Sequence, residues 1–221
     1  IESEGPEVSI GQVCSISSER HGETIEAQVV GFRENVVLLM ALESVHLIHP
    51  GCKVSSKKNS NAVPYGPSLL GRIIDGMGRP IDGKGPLLAP QREGFYCEPP
   101  NPLSRSLITA PFSSGIKAID SFIPLGVGQR VGIFSGSGVG KSILLGMIAR
   151  GSEAQVNVIS LVGERGRELR EFVENDLGPE GMAKSVIVVS TSDQPAPMRI
   201  RASILATAIA EGFRNEGNKV L

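Results

Sequence analysis

Apolar and polar positions change rhythm twice along the chain. Through residue 67 they form short β-prone runs: Val8-Ser9-Ile10, Ile16-Ser17, Ile25-Glu26-Ala27-Gln28-Val29-Val30 and Val36-Val37-Leu38-Leu39-Met40. Gly11, Gly22, Gly31 and Gly51 punctuate them. Successive side chains on a strand face opposite ways, so these runs predict short strands, and several at this spacing predict a small barrel or sandwich. Residues 68 to 98 are crowded with turn formers, including Gly71, Gly76, Gly78, Gly83, Pro86 and Pro90. This stretch reads as a turn-rich connector.

From 99 to 221 strand-like and helix-like stretches alternate. Arg130 to Phe134 predicts a buried strand, Lys141 to Arg150 a helix, and Val156 to Val162 a second strand. Arg167 to Leu177 predicts a charged surface helix, and Val186 to Ser190 a third strand. Met198 to Arg214 predicts a long helix, with Ile200, Ile204, Leu205, Ala208 and Ile209 at helical spacing. Gly217 ends it, and Lys219-Val220-Leu221 starts a fourth strand. Strands alternating with helices imply an α/β fold with a mostly parallel sheet.

Composition narrows the function classes. Of 221 residues 40% are hydrophobic and 20% charged, the ordinary balance of a globular protein. Lys plus Arg is 22 and Asp plus Glu is 23, which supplies no electrostatic reason to expect nucleic acid. Residues 1 to 67 hold only Phe32 and Tyr65 as aromatics, too few for a base-stacking platform. No run approaches the roughly 20 apolar residues of a membrane span, and no signal peptide is visible. Cys14, Cys52 and Cys97 are scattered and odd in number, which fits a reducing compartment and packing roles. The spacing of His46 and His49 puts their rings on opposite faces of a strand, so they are not expected to share a metal.

The densest chemistry lies at Ser135-Gly136-Ser137-Gly138-Val139-Gly140-Lys141-Ser142, between a predicted strand and a predicted helix, with Ile143 opening the helix behind it. Glycines let a backbone turn tightly and point successive N–H groups inward. A helix N-terminus adds partial positive charge. In this pattern Lys141 reaches the β and γ phosphates of ATP or a close relative, and the Ser142 hydroxyl joins a Mg²⁺ shell. The first position usually holds Gly or Ala, and here it holds Ser135.

A second candidate follows the second strand of the α/β part, at Gly163-Glu164-Arg165-Gly166-Arg167-Glu168. A carboxylate at a strand's C-terminal end lies on the edge where such sheets bind ligands. Glu164 is placed to orient and polarise a water, and Arg165 to steady it or offset phosphate charge. The remaining charges of this run, Arg167, Arg170, Glu168, Glu171 and Glu174, read as a solvated helix face.

With these motifs in place, residues 71 to 221 resemble the export ATPases of bacterial flagella and type III secretion systems, relatives of the catalytic subunit of rotary ATP synthases. The resemblance rests on Gly71-Arg72-Ile73-Ile74-Asp75, Gly115-Ile116-Lys117-Ala118-Ile119-Asp120 and Pro124-Leu125-Gly126-Val127-Gly128-Gln129-Arg130. It rests also on the phosphate loop, the Glu164 segment, and Ser192-Asp193-Gln194-Pro195 with Met198-Arg199. Residues 1 to 70 match more loosely, as that family's N-terminal β-barrel. The resemblance implies a RecA-like P-loop core, incomplete in this chain, behind a small barrel: 1 to 67 barrel, 68 to 98 connector, 99 to 221 ATPase domain.

It further implies ATP and Mg²⁺ as cofactors, Lys141 on phosphate, Ser142 on Mg²⁺, Glu164 as the catalytic carboxylate, and Arg165 and Arg199 on the γ-phosphate side. The implied setting is a homohexameric ring at the cytoplasmic face of the inner membrane, peripheral to it and without nucleic acid. Stator and stalk proteins, export substrates and their chaperones are the implied partners. The family places a Walker B aspartate, an inter-subunit arginine, the adenine pocket and a helical domain beyond Leu221. The chain by itself is therefore expected to hydrolyse ATP feebly or not at all. Two other readings compete: a non-catalytic ring subunit, which should lack a carboxylate at 164, and a nucleic-acid motor, which needs a basic or aromatic barrel surface.

Overall fold

The computed structural model describes residues 1–221 apart from 19–22, 47, 58–60, 93 and 137, and for 91 and 92 it describes the backbone alone. The N-terminal runs form an antiparallel sheet of β1 (Glu2–Ser3), β2 (Val13–Ser17), β3 (Thr24–Arg33), β4 (Val36–Ala41) and β5 (Lys53–Ser56), in the order β1-β4-β3-β2-β5. The alternation does what it predicts. Cys14, Ile16, Ala27, Val29, Val37 and Leu39 share one buried core. A bulge between Val29 and Gly31 shifts the register of β3 against β4.

One predicted strand is absent. Val8 to Ile10 is not paired; Gln12 N–H donates to Ser9 O at 3.1 Å, and Ile10 is 67% exposed. Gly11, at φ 85°, turns the chain so that its own N–H reaches Val29 O, which leaves Ile10 outside. Gly22 lies outside the described residues. Cys14 packs as a small apolar residue, whereas Cys97 is exposed, its thiol donating to Gly94 O at 3.1 Å. His49 bonds Ser18 Oγ through Nε2 and Pro50 O through Nδ1, each at 2.9 Å.

Downstream come β6 (Val63–Pro64), β7 (Arg72–Asp75) and β8 (Gln91–Arg92), then β9 (Pro111–Phe112), α1 (Lys117–Phe122) and β10 (Leu125–Gly126). The rest is α2 (Lys141–Gly151), β11 (Asn157–Val162), α3 (Gly166–Glu171), a π-helical stretch (Phe172–Leu177), α4 (Gly178–Ala183), β12 (Ser185–Ser190) and α5 (Ala196–Asn215). The predicted helix over 167–177 is thus helical throughout, α-helical over 167–171 and π-helical over 172–177. Its second half widens to a π-helix, which buries Phe172 and Leu177.

Three strands form a parallel sheet in the order β11-β12-β7. The turn-dense stretch therefore contributes a strand to this sheet through Arg72–Asp75. Arg72 is pinned by Asp82, with Nε to Oδ2 at 2.7 Å and Nη2 to Oδ1 at 3.1 Å. The central strand β12 is buried at every position. Val186 and Val188 face the α5 side with Leu205, Ile209 and Phe213, while Ile187 and Val189 face Ala149, Phe172 and Leu177. Helices on both faces make every β12 side chain apolar or small, which is why it reads as a continuous apolar run. On α5, Leu205, Ala208 and Ile209 are buried as predicted, but Ile200 is 63% exposed and Arg201 is 3% exposed with its guanidinium 4.1 Å above the Phe95 ring.

The predicted buried strand at 130–134 is a correction. The segment joins no ladder, and Val131, Ile133 and Phe134 are 54%, 38% and 95% exposed. An apolar strand is buried only where strands flank it. Here Val131 and Ile133 instead line a groove of about 240 Å³ together with Val220 and Leu221. The predicted fourth strand begins there, as a parallel bridge from Val220 to Val156. The barrel meets the α/β part where Val13 and Leu42 pack on Met198 of α5. Arg79 spans the same joint, with Nη1 to Glu43 and Nε to Asp75, each at 2.7 Å.

Candidate functional site

The site is assembled by two strand-to-helix transitions. Before α2 the loop turns at Gly138 (φ 75°) and at Gly140 (φ 94°), left-handed values that favour glycine. Gly140 is the N-cap and no described side chain caps the helix. The first-turn N–H groups of an uncapped helix need an acceptor, and an anion supplies one. Ser135, Gly136, Gly138 and Val139 are exposed, Val139 at 67%. Ser137 lies outside the described residues. Ile143 sits on the exposed side of the first turn, at 56%.

The second transition follows β11. Gly163 N–H donates to Ser190 O at 2.8 Å, and Ser192 N–H donates to Glu164 O at 3.1 Å. These bonds hold the Glu164 backbone against the turn after β12. A cavity of about 230 Å³ opens between the transitions. Lys141, Ser142 and Leu145 line it from α2, Leu161 and Glu164 from the end of β11, and Glu168, Leu169 and Phe172 from the next helix. Whole-ligand pockets span about 300–1,000 Å³, so this volume suits the phosphate end of a nucleotide rather than all of it.

Glu168 is exposed, as the solvated face assigned to it predicts, yet it also lines this cavity. Its carboxyl hydrogen-bonds that of Glu164, which, with burial, raises Glu164 above the ordinary carboxylate range, while Lys141 pulls it down. No spacing signalled that contact, because Glu164 precedes α3 and only Glu168 is helical. Together with the Ser142 hydroxyl the pair forms a set of hard oxygen donors beside one lysine. That set fits Mg²⁺, which takes oxygen ligands and would neutralise the excess negative charge.

The structure does not bring the two arginines into this cavity lining. Arg165 is 82% exposed at its side chain and pairs with Glu168 at 3.6 Å. Arg199 is half-buried on the first turn of α5. Asp193, nearby, is held below the usual carboxylate range first by a hydrogen bond from the Thr191 side chain.

Comparisons with known proteins agree with this geometry. The ATP synthase alpha/beta family matches twice, its nucleotide-binding domain over residues 115–221 and its beta-barrel domain over 1–57. The flagellum-specific ATP synthase of Bacillus subtilis (strain 168) is 50% identical over 224 residues, covering 100% of this chain and 51% of its own length. The type 3 secretion system ATPase of Xanthomonas euvesicatoria is 44% identical over 218 residues, covering 98% and 49%. The assembled ATPase EscN of the enteropathogenic E. coli type III secretion system superposes with a TM-score of 0.86 at 42% identity, over 99% of this chain and 52% of that one. The chain spans about half the length of the curated relatives it matches. With a barrel, a phosphate loop and a parallel sheet in the matching order, the chain belongs to the ATP synthase alpha/beta family.

Proposed function

We propose that this chain is the nucleotide-gripping half of an ATP-hydrolysing motor subunit that energises protein export through a flagellar or type III secretion apparatus. The observation that carries the reading is the single cavity shared by Lys141, Ser142 and Glu164. Lys141 and the first-turn N–H groups of α2 hold the β and γ phosphates of ATP. Ser142, with the Glu164 and Glu168 carboxylates close by, holds Mg²⁺, which when bound neutralises phosphate charge. Glu164 accepts a proton from, and orients, the attacking water. The neighbouring Glu168 favours the protonated form of Glu164, and Lys141 favours the ionised form. Arg165 and Arg199 take the γ-phosphate side, Arg165 by leaving its exposed pairing with Glu168.

Self-association into a ring is part of the reading, supported by the assembled state of EscN. A stalk partner is supported by the complex of EscN with its central stalk EscO. Stator proteins, export substrates and chaperones complete the proposed partners, at the cytoplasmic face of the inner membrane. Among the described residues no helix is long and apolar enough to cross a membrane. The presence of Glu164 in the cavity favours a catalytic over a purely regulatory subunit.

Calorimetric titration with MgATP tests the grip. Lys141→Ala is expected to weaken binding by about tenfold or more through loss of a charge-assisted phosphate contact. Equal affinity in the variant would sink the assignment. In an assembly competent for turnover, Glu164→Gln is expected to lower kcat by about 10²-fold or more with little change in affinity.

A further inference from the structure

Asn157 is wholly buried, at 0% exposure, yet lies at the opposite end of β11 from Glu164. Its Nδ2 donates to Ala149 O at 2.8 Å and to Ser185 Oγ at 3.1 Å. Ser185 Oγ in turn donates to Gly181 O at 2.5 Å. The last four carbonyls of a helix have no partner within it. In α2 the Ile148 carbonyl is taken by Ser152 N–H at 2.9 Å, and the Ala149 carbonyl is taken by Asn157.

Two more close approaches lie in the same half of α2. A Cβ on Gly146 would sit 2.5 Å from Asp176 O in the π-helical stretch, and one on Gly115 would sit 2.2 Å from Gly151 O. The helix is therefore seated from its C-terminal half. Lys141, Ser142 and Ile143 of its first turn are exposed, and the segment leading into it, 131–134, joins no ladder. At the far end of α2, Asn157 ties this helix to the strand that leads into Glu164.

We propose that Asn157 is a positioning residue: its bond to Ala149 O sets the tilt of α2 on β11 and so the reach of Lys141 and Ser142 toward phosphate. The inference rests on the nucleotide reading of the cavity. Eight residues separate Ala149 from Lys141, about 12 Å along the axis, so a tilt of about 5° moves the lysine by about 1 Å. A misplacement of about that size costs up to about 10²-fold in a positioned reaction.

The test compares MgATP affinity with thermal stability in the 221-residue chain, in wild type, Asn157→Ala and Ser185→Ala. Each substitution removes two buried hydrogen bonds, but only the first removes the bond to α2. Asn157→Ala is expected to weaken MgATP binding by about tenfold, whereas Ser185→Ala stays within about twofold of wild type although its Tm also falls. Lowered Tm with wild-type affinity in both variants would overturn the positioning role. Failure of wild type itself to bind MgATP would overturn the nucleotide reading and this inference with it.

Should Asn157→Ala not fold, Asn157→Asp decides. A buried acid keeps its proton to higher pH, so at about pH 5.5 its neutral hydroxyl still donates to Ala149 O, and at about pH 8 a carboxylate faces that oxygen instead. Relative to wild type, affinity is expected to match at the lower pH and to fall about tenfold at the higher. A ratio independent of pH would count against the proposal.

Discussion

The barrel and the phosphate-loop region both contain apolar β-prone segments, yet only in the barrel do these segments enclose a shared core. In the barrel, β2, β3 and β4 all have neighbours on both sides, and the inward residues are buried to a few per cent. At 131–134 a segment of comparable β propensity lies unpaired, and Phe134 is 95% exposed. The difference is not in the segment but in its surroundings. A strand is a relation between segments, and its burial is a property of the sheet.

The largest expected effect falls on the barrel. Leu39→Ala removes a fully enclosed side chain, 3% exposed, and should cost about 2–5 kcal/mol of barrel stability in chemical denaturation. MgATP affinity should stay within about twofold of wild type, because Leu39 lines no part of the cavity. A parallel fall in affinity would break the comparison by showing that the two parts share one energetic unit.

A smaller effect is expected at the strand that the turn-rich stretch lends to the parallel sheet. Asp82 is 3% exposed at its side chain, and Arg72, with N–H groups of Lys84 and Ile73, holds its carboxyl well below the usual range. A depressed carboxyl adds stability that is present above the unfolded pKa of about 3.9 and is lost as pH falls toward the folded value. Acid titration of unfolding should therefore show a steep limb below about pH 4, flattened in Asp82→Asn. An unchanged limb would separate β7 from the folding of the sheet.

The smallest effect is the sharpest check. Phe134→Ser should alter the stability of this chain by no more than about 0.5 kcal/mol, as for other exposed positions. A loss above about 1 kcal/mol would mean that the segment is packed after all, and the contrast with the barrel would disappear.

What was legible in the sequence follows the same line. Alternation located β2, β3 and β4, and a continuous apolar run located β12. Glycine spacing with Lys141 and Ser142 located the phosphate loop, since its chemistry is local. The position of Glu164 after a strand was enough to place it in the cavity. Pairing partners are remote, so the strand role of Arg72–Asp75 and the exposure of Val131 were not legible. The π-helical widening at Phe172 comes from packing against α2, where Gly146 meets the Asp176 carbonyl, and no periodicity announces it. Glu168 looked like one more surface charge until the fold set it against Glu164. Asn157 was overlooked because a single amide inside an apolar run is weak evidence until its two acceptors are known.

The seat of the barrel on Met198 acquires a mechanical meaning from this layout. Met198 belongs to the first turn of α5, and the turn leading into that helix bonds the backbone of Glu164 through Ser192. Between the barrel's Leu42 and the peptide of Glu164 there are thus a side-chain contact, one short bend of chain and a single hydrogen bond. A torque applied to the barrel meets that bond first, so the chain carries a lever whose short arm ends at the residue proposed to orient water.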